Sequence, residues 1–303
     1  MRILVTGSFR ISHEQIDKLS QLGAQVTFHA DERAAVENPE SYEAVVCNGL
    51  FLYHKIEEFT NLRFIQLTSA GFDRVPMDYI TAHGIEIANA RGVYSLPMAE
   101  YALFGVLNLL KQGRFFYENQ KDHLWEKHRG LQELCGKTVC IIGCGSVGTE
   151  CAKRFMAFGC HVIGVDLYPR DDANFEHIAP LEQLFSCLQK SDIVVLTLPL
   201  TKETHHIMNA QAFENMRRGA ILVNIARGAV LDTSALIEAL QNKLGGAVLD
   251  VFEEEPLNAQ SSLWGMENVL ITPHNSFVGE NNSERLWNVI FQSFQKFLGE
   301  DIR

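Results

Sequence analysis

The chain has 303 residues, of which 47% are hydrophobic, and a formal net charge of -11. This length allows two domains of ordinary size, and the acidic balance argues against a nucleic-acid-binding surface. No stretch approaches the roughly 20 uninterrupted apolar residues of a membrane span, and the seven cysteines, an odd number, favour a reducing, cytoplasmic location over a disulfide framework.

Short strands alternate with short helices over residues 1–95. This alternation is typical of a parallel sheet flanked by helices. Because it contains no Gly-x-Gly-x-x-Gly motif, the region is predicted to be a doubly wound domain that does not bind a nucleotide. The predicted strands are Ile3–Thr6, Gln25–Phe28, Ala44–Cys47, Phe64–Leu67 and Ile85–Ala88, and helices are predicted at Ser12–Leu22 and around Met77–Ala82.

A turn of small residues, Leu67-Thr68-Ser69-Ala70-Gly71-Phe72-Asp73, follows the fourth predicted strand. Such a turn leaves backbone N–H groups open at the carboxyl end of a strand, where ligands bind in open α/β sheets. The functional interpretation is a site for a carboxylate, and the alternative is a simple tight turn. The local sequence leaves both open.

A long apolar helical pattern runs from Pro97 to about Tyr117. It is too apolar for a solvated surface helix, so we expect it between the domains or against another subunit. The residues that follow, Glu118 to Gly136, are polar and contain Trp125.

The most informative stretch is a short apolar strand followed directly by Gly143-x-Gly145-x-x-Gly148, a helical pattern and a second strand that ends at Asp166. In a dinucleotide site the first glycine permits the tight turn, the second lets a pyrophosphate approach the backbone, and the third lets the helix pack on the strand. The helix N-terminus binds the phosphates, and the acid accepts hydrogen bonds from the ribose. An ordinary βαβ unit and an S-adenosylmethionine site are the alternatives on this stretch alone.

The strand–helix alternation continues after Asp166. Four histidines, His123, His128, His205 and His206, have no acidic or cysteine partner at metal-ligand spacing, and solvated or structural roles are expected for them. No metal site is predicted. Strands are predicted at Asp192–Leu198, Ala220–Asn224, Ala247–Val251 and Asn268–Thr272, and helices at Thr233–Gln241 and Asn282–Leu298, with His205-His206 in a strand-like stretch.

Three polar residues, Arg227, Glu255 and His274, come just after predicted strands of this second domain. The carboxyl ends of the strands in a doubly wound sheet converge on the cofactor crevice. An arginine fork binds a carboxylate, and a histidine exchanges a proton with a hydroxyl or carbonyl oxygen. A carboxylate orients such a histidine and favours its charged form. Together with a nicotinamide that carries a hydride, the set predicts an oxidoreductase.

These stretches resemble the NAD-dependent D-isomer specific 2-hydroxyacid dehydrogenase family over nearly the whole chain. The resemblance implies that Arg227, Glu255 and His274 are catalytic, with Arg227 binding the substrate carboxylate and His274, tuned by Glu255, as the acid/base. It implies a small 2-keto acid or D-2-hydroxy acid substrate, bound also by the amides of Ser69, Ala70 and Gly71. The implied NAD contacts are Gly143, Gly145, Ser146, Val147, Gly148, Asp166, Pro199, Thr204, Ala226 and Asp250.

The resemblance further implies two doubly wound parallel-sheet α/β domains, with a Rossmann NAD-binding domain, 98–275, inserted in a discontinuous flavodoxin-like substrate domain, 1–97 and 276–303. It implies a homodimer through the 97–125 region. A non-enzymatic NAD-sensing corepressor on the same fold is the main alternative, and a methyltransferase would not explain the Arg-Glu-His set. The substrate and the physiological direction are left open.

Overall fold

The computed structural model describes residues 1–299 and divides into two compact units. One unit contains Met1–Tyr94 and the segment from Gly279, and the other is Ser95–Val278. The predicted boundaries, 97/98 and 275/276, lie a few residues from these junctions. Residues 300–303 of the predicted C-terminal segment lie outside the described part.

The first unit is a five-stranded sheet in which every pair of neighbouring strands is parallel. The strand order β2-β1-β3-β4-β5 is that of flavodoxin-like folds. The strands are β1 (Arg2–Thr6), β2 (Gln25–His29), β3 (Ala44–Cys47), β4 (Phe64–Leu67) and β5 (Glu86–Ala88), and the helices are α1 (His13–Gln21), α2 (Met77–Ala82) and the C-terminal helix Asn282–Phe297.

The C-terminal helix completes the core of the first unit. Its buried residues Leu286, Ile290 and Phe294 recur at the four-residue spacing of one helix face. The Phe64 ring of β4 packs on Phe294 and Phe297, with centroid separations of 5.2 and 4.8 Å. Residues far apart in the chain therefore form one hydrophobic core, which explains why the unit is discontinuous.

The second unit is a seven-stranded parallel sheet of order β12-β11-β10-β9-β6-β7-β8, with the strand order reversing next to β6. Such a reversal marks the nucleotide crevice of doubly wound folds. The predicted fold class is confirmed for both units. The strands are β6 (Thr138–Ile142), β7 (His161–Asp166), β8 (Ile178–Pro180), β9 (Ile193–Leu196), β10 (Ile221–Asn224), β11 (Gly246–Leu249) and β12 (Val269–Ile271), and the helices are α3 (Ser95–Leu110), α4 (Gly113–Lys121), α5 (Ser146–Ala157), α6 (Leu184–Leu188), α7 (Ala210–Asn215) and α8 (Thr233–Asn242).

The predicted helix from Pro97 to Tyr117 is wrong as one element, because the structure divides it into α3 and α4. Gln112 between them has a left-handed backbone with φ of 54°, which interrupts the helical hydrogen bonds. The apolar residues of α3 pack on the sheet of their own unit, where a Cβ at Gly105 would lie 2.5 Å from Val248 Cγ1. Packing within the unit therefore explains the apolar character of α3.

Two further differences from the predicted elements concern short segments. The strand β8 and the helices α6 and α7 were not predicted, because each is too short to show a clear period. The stretch around His205-His206 is a turn and not a strand, and His206 has φ of 51°. Among residues 1–299, no helix is long and apolar enough to cross a lipid bilayer.

Candidate active site

The three glycines of the turn between β6 and α5 differ in backbone conformation and in the space around them. Gly143 has φ of +98°, and a Cβ there would lie 2.5 Å from the backbone nitrogen of Leu198. A Cβ at Gly148 would lie 2.1 Å from the Gly143 carbonyl oxygen, so the helix packs closely on the turn. Around a Cβ at Gly145, in contrast, no atom of residues 1–299 lies within 4 Å, apart from its own chain neighbours and helix backbone. Open space above a glycine backbone is the feature that a pyrophosphate requires, so this turn fits the nucleotide.

The start of helix α5 is also suited to phosphate binding. Gly145 is its N-cap and has no side chain to accept the first helical amides, and Ser146 and Val147 are its first two residues. Asp166, at the end of β7, accepts hydrogen bonds from the Cys144 amide at 2.7 Å and the Tyr168 amide at 3.0 Å. The structure thus places the predicted ribose-binding acid directly against the glycine turn.

The loop after β9 contains the predicted contacts Pro199 and Thr204. The Thr204 hydroxyl is buried and donates to the Pro199 carbonyl oxygen at 2.7 Å, while the Thr201 amide donates to that hydroxyl at 2.8 Å. Thr204 therefore shapes this loop from within. Its contact with NAD, and that of Pro199, stay predictions.

The loop after β10 is organised by the buried side chain of Asn224. Its Oδ1 accepts the Ala226 amide at 3.1 Å, and its Nδ2 donates to the Arg227 carbonyl oxygen at 3.1 Å. Arg227 Nη1 donates to the Ala226 carbonyl oxygen at 2.9 Å. A Cβ on Gly228 would lie 1.8 Å from the Phe252 carbonyl carbon, so only glycine allows this loop to pack against the next one. No role for Asn224 was predicted from the sequence. The available signal was an asparagine just before a turn, whose side chain often hydrogen-bonds to the backbone that follows it.

Asp250, directly after β11, is fully buried and holds the turn that follows β12. Its carboxylate accepts the Thr272 hydroxyl at 2.6 Å, the Asn275 amide at 2.7 Å and the Ser276 amide at 2.9 Å. Its carbonyl oxygen accepts the His274 amide at 2.8 Å. These four bonds hold His274 in a left-handed conformation, φ of 52°. Asp250 is therefore a positioning residue for His274. Its contact with NAD stays a prediction.

Tyr101 of α3 extends this network, because its hydroxyl donates to the Thr272 hydroxyl at 2.6 Å. Burial raises the Tyr101 pKa, against the Thr272 hydrogen bond, which lowers it. The phenol therefore stays a proton donor at neutral pH. Neither Tyr101 nor Thr272 was predicted to support the site, because no local pattern connects positions that are so far apart in the chain.

His274 and Glu255 form a direct pair. His274 Nδ1 lies 2.8 Å from Glu255 Oε2, and both side chains are 37% exposed. The other carboxylate oxygen, Oε1, accepts the Phe252 amide at 3.0 Å, so Glu255 is fixed at both oxygens. Arg227, Glu255 and His274 thus follow three neighbouring strands, β10, β11 and β12, at their carboxyl ends.

The chemistry of the pair follows from its hydrogen bond. An ionised carboxylate only accepts, so Nδ1 of His274 carries the proton and Nε2 is left for a substrate. Neutral imidazole then accepts a proton at Nε2, and imidazolium donates one there. This is the arrangement that a reversible acid/base group requires.

In the first unit, the turn after β4 has carbonyl groups that are satisfied and amide groups that are open. The carbonyl oxygens of Thr68, Ser69, Ala70 and Gly71 accept hydrogen bonds from Tyr94 Oη, the Ala90 amide, Asn89 Nδ2 and Ser69 Oγ respectively. Within residues 1–299, no acceptor is bonded to the amides of Ser69, Ala70 and Gly71. Three open amides at the end of a strand form a cradle suited to a carboxylate.

Two further histidines, His205 and His206, make contacts of their own. Within the described residues, no group of three or more His, Cys, Asp or Glu side chains could hold a metal ion. His206 Nε2 instead lies 2.6 Å from Glu253 Oε1, and its ring stacks on that of His205 at 4.0 Å.

Known proteins match this chain over most of its length. Residues 103–276 match the family model of the D-isomer specific 2-hydroxyacid dehydrogenase NAD binding domain. The chain is 32% identical to (S)-sulfolactate dehydrogenase of Chromohalobacter salexigens over 247 residues, 80% of each protein. It is 36% identical to glyoxylate reductase of Thermofilum pendens over 223 residues, 71% of this chain and 65% of that protein.

A solved structure gives the same assignment. The D-lactate dehydrogenase of Aquifex aeolicus, complexed with NAD and lactic acid, superimposes with a TM-score of 0.80 at 26% identity, over 98% of this chain and 96% of that one. These matches confirm the predicted enzyme class and NAD as the cofactor. The chain belongs to the D-isomer specific 2-hydroxyacid dehydrogenase family and is an NAD-dependent oxidoreductase.

Proposed function

We propose that the protein interconverts a small 2-keto acid and its D-2-hydroxy acid, with Arg227 binding the substrate carboxylate and His274 exchanging the proton. The open amides of Ser69, Ala70 and Gly71 bind the same carboxylate. The observation that carries this proposal is the position of the His274–Glu255 pair, which lies at the carboxyl ends of β11 and β12 with Arg227 following the neighbouring strand β10.

In the reductive direction, protonated His274 donates its Nε2 proton to the keto oxygen. Bound NADH supplies the hydride that reduces the carbonyl carbon. Glu255 stabilises the imidazolium before the transfer and holds the ring in one tautomer after it. The planar fork of Arg227 suits a carboxylate because it offers two parallel N–H donors. Oxidation of the hydroxy acid uses neutral His274 as the base.

The test is NADH consumption by the purified protein with glyoxylate, pyruvate, hydroxypyruvate, 3-phosphohydroxypyruvate and branched keto acids. Reduction of at least one of them, lost in His274→Asn, is the expected result. The rival is a non-enzymatic NAD-sensing corepressor, which would bind NADH and turn over none of them. The position of Arg227, Glu255 and His274 after three neighbouring strands favours turnover. Asp166 further predicts a higher kcat/KM with NADH than with NADPH, because a 2′-phosphate would meet a carboxylate.

We also propose a homodimer that forms through the 97–125 region. Apolar side chains there are exposed: Tyr117 at 69%, Leu124 at 55% and Trp125 at 99%. Leu124 and Trp125 line a groove of about 860 Å³ together with neighbouring residues that include Phe116. A second copy of the chain would cover this surface, and large exposed apolar patches mark such interfaces. Light scattering should give twice the chain mass, reduced toward one mass in Trp125→Ala.

The proposed location is the cytoplasm. All seven cysteines are free thiols, and six of them are buried. Free thiols in this number suit a reducing compartment. Non-reducing and reducing electrophoresis of protein from intact cells should give the same band if this is right.

The relatives differ in what they act on, according to their names. Sulfolactate carries a sulfonate as well as a carboxylate, whereas glyoxylate carries a carboxylate alone. The family therefore leaves the charge of the substrate open.

A further inference from the structure

The carboxylate cradle of the first unit has an immediate neighbour. β3 and β4 are paired through Cys47 and Leu67, and the Thr68 amide donates to the Cys47 carbonyl oxygen at 2.9 Å. Adjacent strands lie about 4.8 Å apart. The loop that begins at Asn48 after β3 is therefore one strand away from the open amides that follow β4. Any group that extends from a bound carboxylate toward β3 meets this loop.

Glu32 already occupies the amides of that loop. It comes from the segment after β2, and its Oε1 accepts the Asn48 amide at 2.7 Å and the Thr6 hydroxyl at 2.7 Å. Its Oε2 accepts the Gly49 amide at 2.8 Å. The ring of His54 donates from Nε2 to the Glu32 carbonyl oxygen at 2.8 Å, which anchors the backbone as well.

The two neighbouring loops therefore differ in their capacity to bind an anion. After β4 the amides are open, whereas after β3 an internal carboxylate fills the place that a second anion would take. All three contacts of the Glu32 carboxylate are with donors, which suits its ionised form. A phosphate or sulfonate beside it would meet a fixed negative charge, and the amides of Asn48 and Gly49 are already bonded to that charge.

The cations closest in the chain do not reverse this effect. Arg33 is held by Asp31 through two hydrogen bonds of 2.9 and 3.1 Å, so its charge is compensated. The first lysine or arginine after β3 is Lys55, and between it and Gly49 the loop carries the exposed apolar side chains of Leu52 and Tyr53.

We infer that Glu32 is a specificity-determining residue that restricts the enzyme to 2-keto acids whose carboxylate is their only anionic group. Acids that carry a phosphate or sulfonate in addition to the carboxylate are disfavoured by repulsion from Glu32, which also occupies the amides of Asn48 and Gly49. This inference rests on the proposed function, because it takes the amides of Ser69–Gly71 as the site of the substrate carboxylate.

The sharpest test uses two substrates that differ only by a phosphate, hydroxypyruvate and 3-phosphohydroxypyruvate. The wild-type protein should reduce hydroxypyruvate with a kcat/KM at least about tenfold higher, the scale of one like-charge contact at a protein surface. Equal values, or a preference for the phosphorylated acid, would overturn the inference and leave the proposed function intact. If no keto acid of the panel is reduced, the proposed function fails, and the inference fails with it.

Glu32→Gln removes the charge with little change of shape, and Glu37→Gln, an exposed position in the same loop, is the matched control. The preference for hydroxypyruvate over 3-phosphohydroxypyruvate should fall at least about fivefold in Glu32→Gln and stay at the wild-type value in Glu37→Gln. An unchanged ratio in Glu32→Gln would show that this carboxylate does not select the substrate.

Thermal melting of both variants shows whether they fold. If Glu32→Gln does not, the wild-type protein is assayed at 0.05 and 0.5 M salt. Because salt screens charges at a partly exposed site, KM for 3-phosphohydroxypyruvate should fall relative to KM for hydroxypyruvate. A ratio that salt leaves unchanged would contradict electrostatic exclusion.

Discussion

Two histidine–glutamate pairs of the second unit resemble each other closely, and their glutamates, Glu253 and Glu255, lie in the same loop after β11. His274 Nδ1 lies 2.8 Å from Glu255 Oε2, and His206 Nε2 lies 2.6 Å from Glu253 Oε1. Both pairs are about one-third exposed, and both histidines have left-handed backbones. Distance, exposure and strain therefore do not distinguish a proposed acid/base pair from a structural one.

The surroundings of the two pairs do differ. The turn that carries His274 follows β12 and is held by the buried Asp250, which follows β11. It lies at the same edge of the sheet as the Arg227 loop and the glycine turn, because all of them follow carboxyl ends of parallel strands. The second oxygen of Glu253 accepts the Thr233 amide at 3.0 Å, which connects the pair to the start of α8. The His206–Glu253 pair thus links three segments of the fold. The position of each pair in the sheet, and not its own geometry, distinguishes the proposed acid/base pair from the structural one.

The largest expected effect is the loss of the acid/base group. His274→Asn should lower kcat for keto-acid reduction by about 10²–10⁴, the usual contribution of a positioned proton donor. His206→Asn is the matched control at the other pair, and its kcat should stay within about threefold of wild type. Steady-state NADH consumption measures both. Similar losses in the two variants would show that the pairs have been assigned incorrectly.

Arg227→Lys comes next, because it keeps the charge and removes the planar fork. A point charge cannot form two parallel bonds to a carboxylate. We expect kcat/KM for the keto acid to fall by about 10–100-fold, which corresponds to one or two charge-assisted hydrogen bonds. The Kd of NADH, measured by fluorescence quenching, should change little. A nearly normal kcat/KM would mean that the Ser69–Gly71 amides suffice to hold the carboxylate.

Glu255→Gln tests how the carboxylate acts on His274. Imidazolium is the acid in reduction, and a nearby negative charge favours it. With that charge removed, kcat for keto-acid reduction should fall by about tenfold, the scale of one lost charge-assisted hydrogen bond. The control is Glu253→Gln, whose kcat should stay close to wild type. A wild-type kcat in Glu255→Gln would show that proton transfer does not need the charge of Glu255.

The smallest effect concerns stability at the second pair. Burial raises the pKa of Glu253, but hydrogen bonds from Thr233 and His206 outweigh it, so that the pKa is lowered overall. A lowered carboxyl pKa stabilises the folded state above the ordinary glutamate value of about 4.3, and this stability is lost as pH falls through the lowered value. Because the side chain is partly exposed, solvent screening limits the effect to about 1 kcal/mol or less. Glu253→Gln should therefore melt earlier than wild type at pH 7, and the difference should shrink at pH 3.5.

Local sequence patterns determined the elements and their order. The spacing of Gly143, Gly145 and Gly148 predicted a turn in which each glycine has a separate reason, and the structure shows a positive φ at the first, open space at the second and close packing at the third. Strand–helix alternation predicted both parallel sheets, because a crossover connection forces parallel pairing. The predicted strand boundaries were enough to place three polar residues after strand ends: Arg227, Glu255 and His274.

The tertiary structure decided which polar side chains meet. Glu253 and His206 are 47 positions apart, and Glu32 and Asn48 are 16 apart, and nothing periodic connects either pair. The same holds for Asp250 and the turn around His274, which become neighbours only because β11 lies next to β12. Hydrophobic periodicity records which face of an element is buried, whereas contacts between loops depend on strand order and register. The break at Gln112 is of the same kind, because the apolar pattern continues through it while the backbone turns.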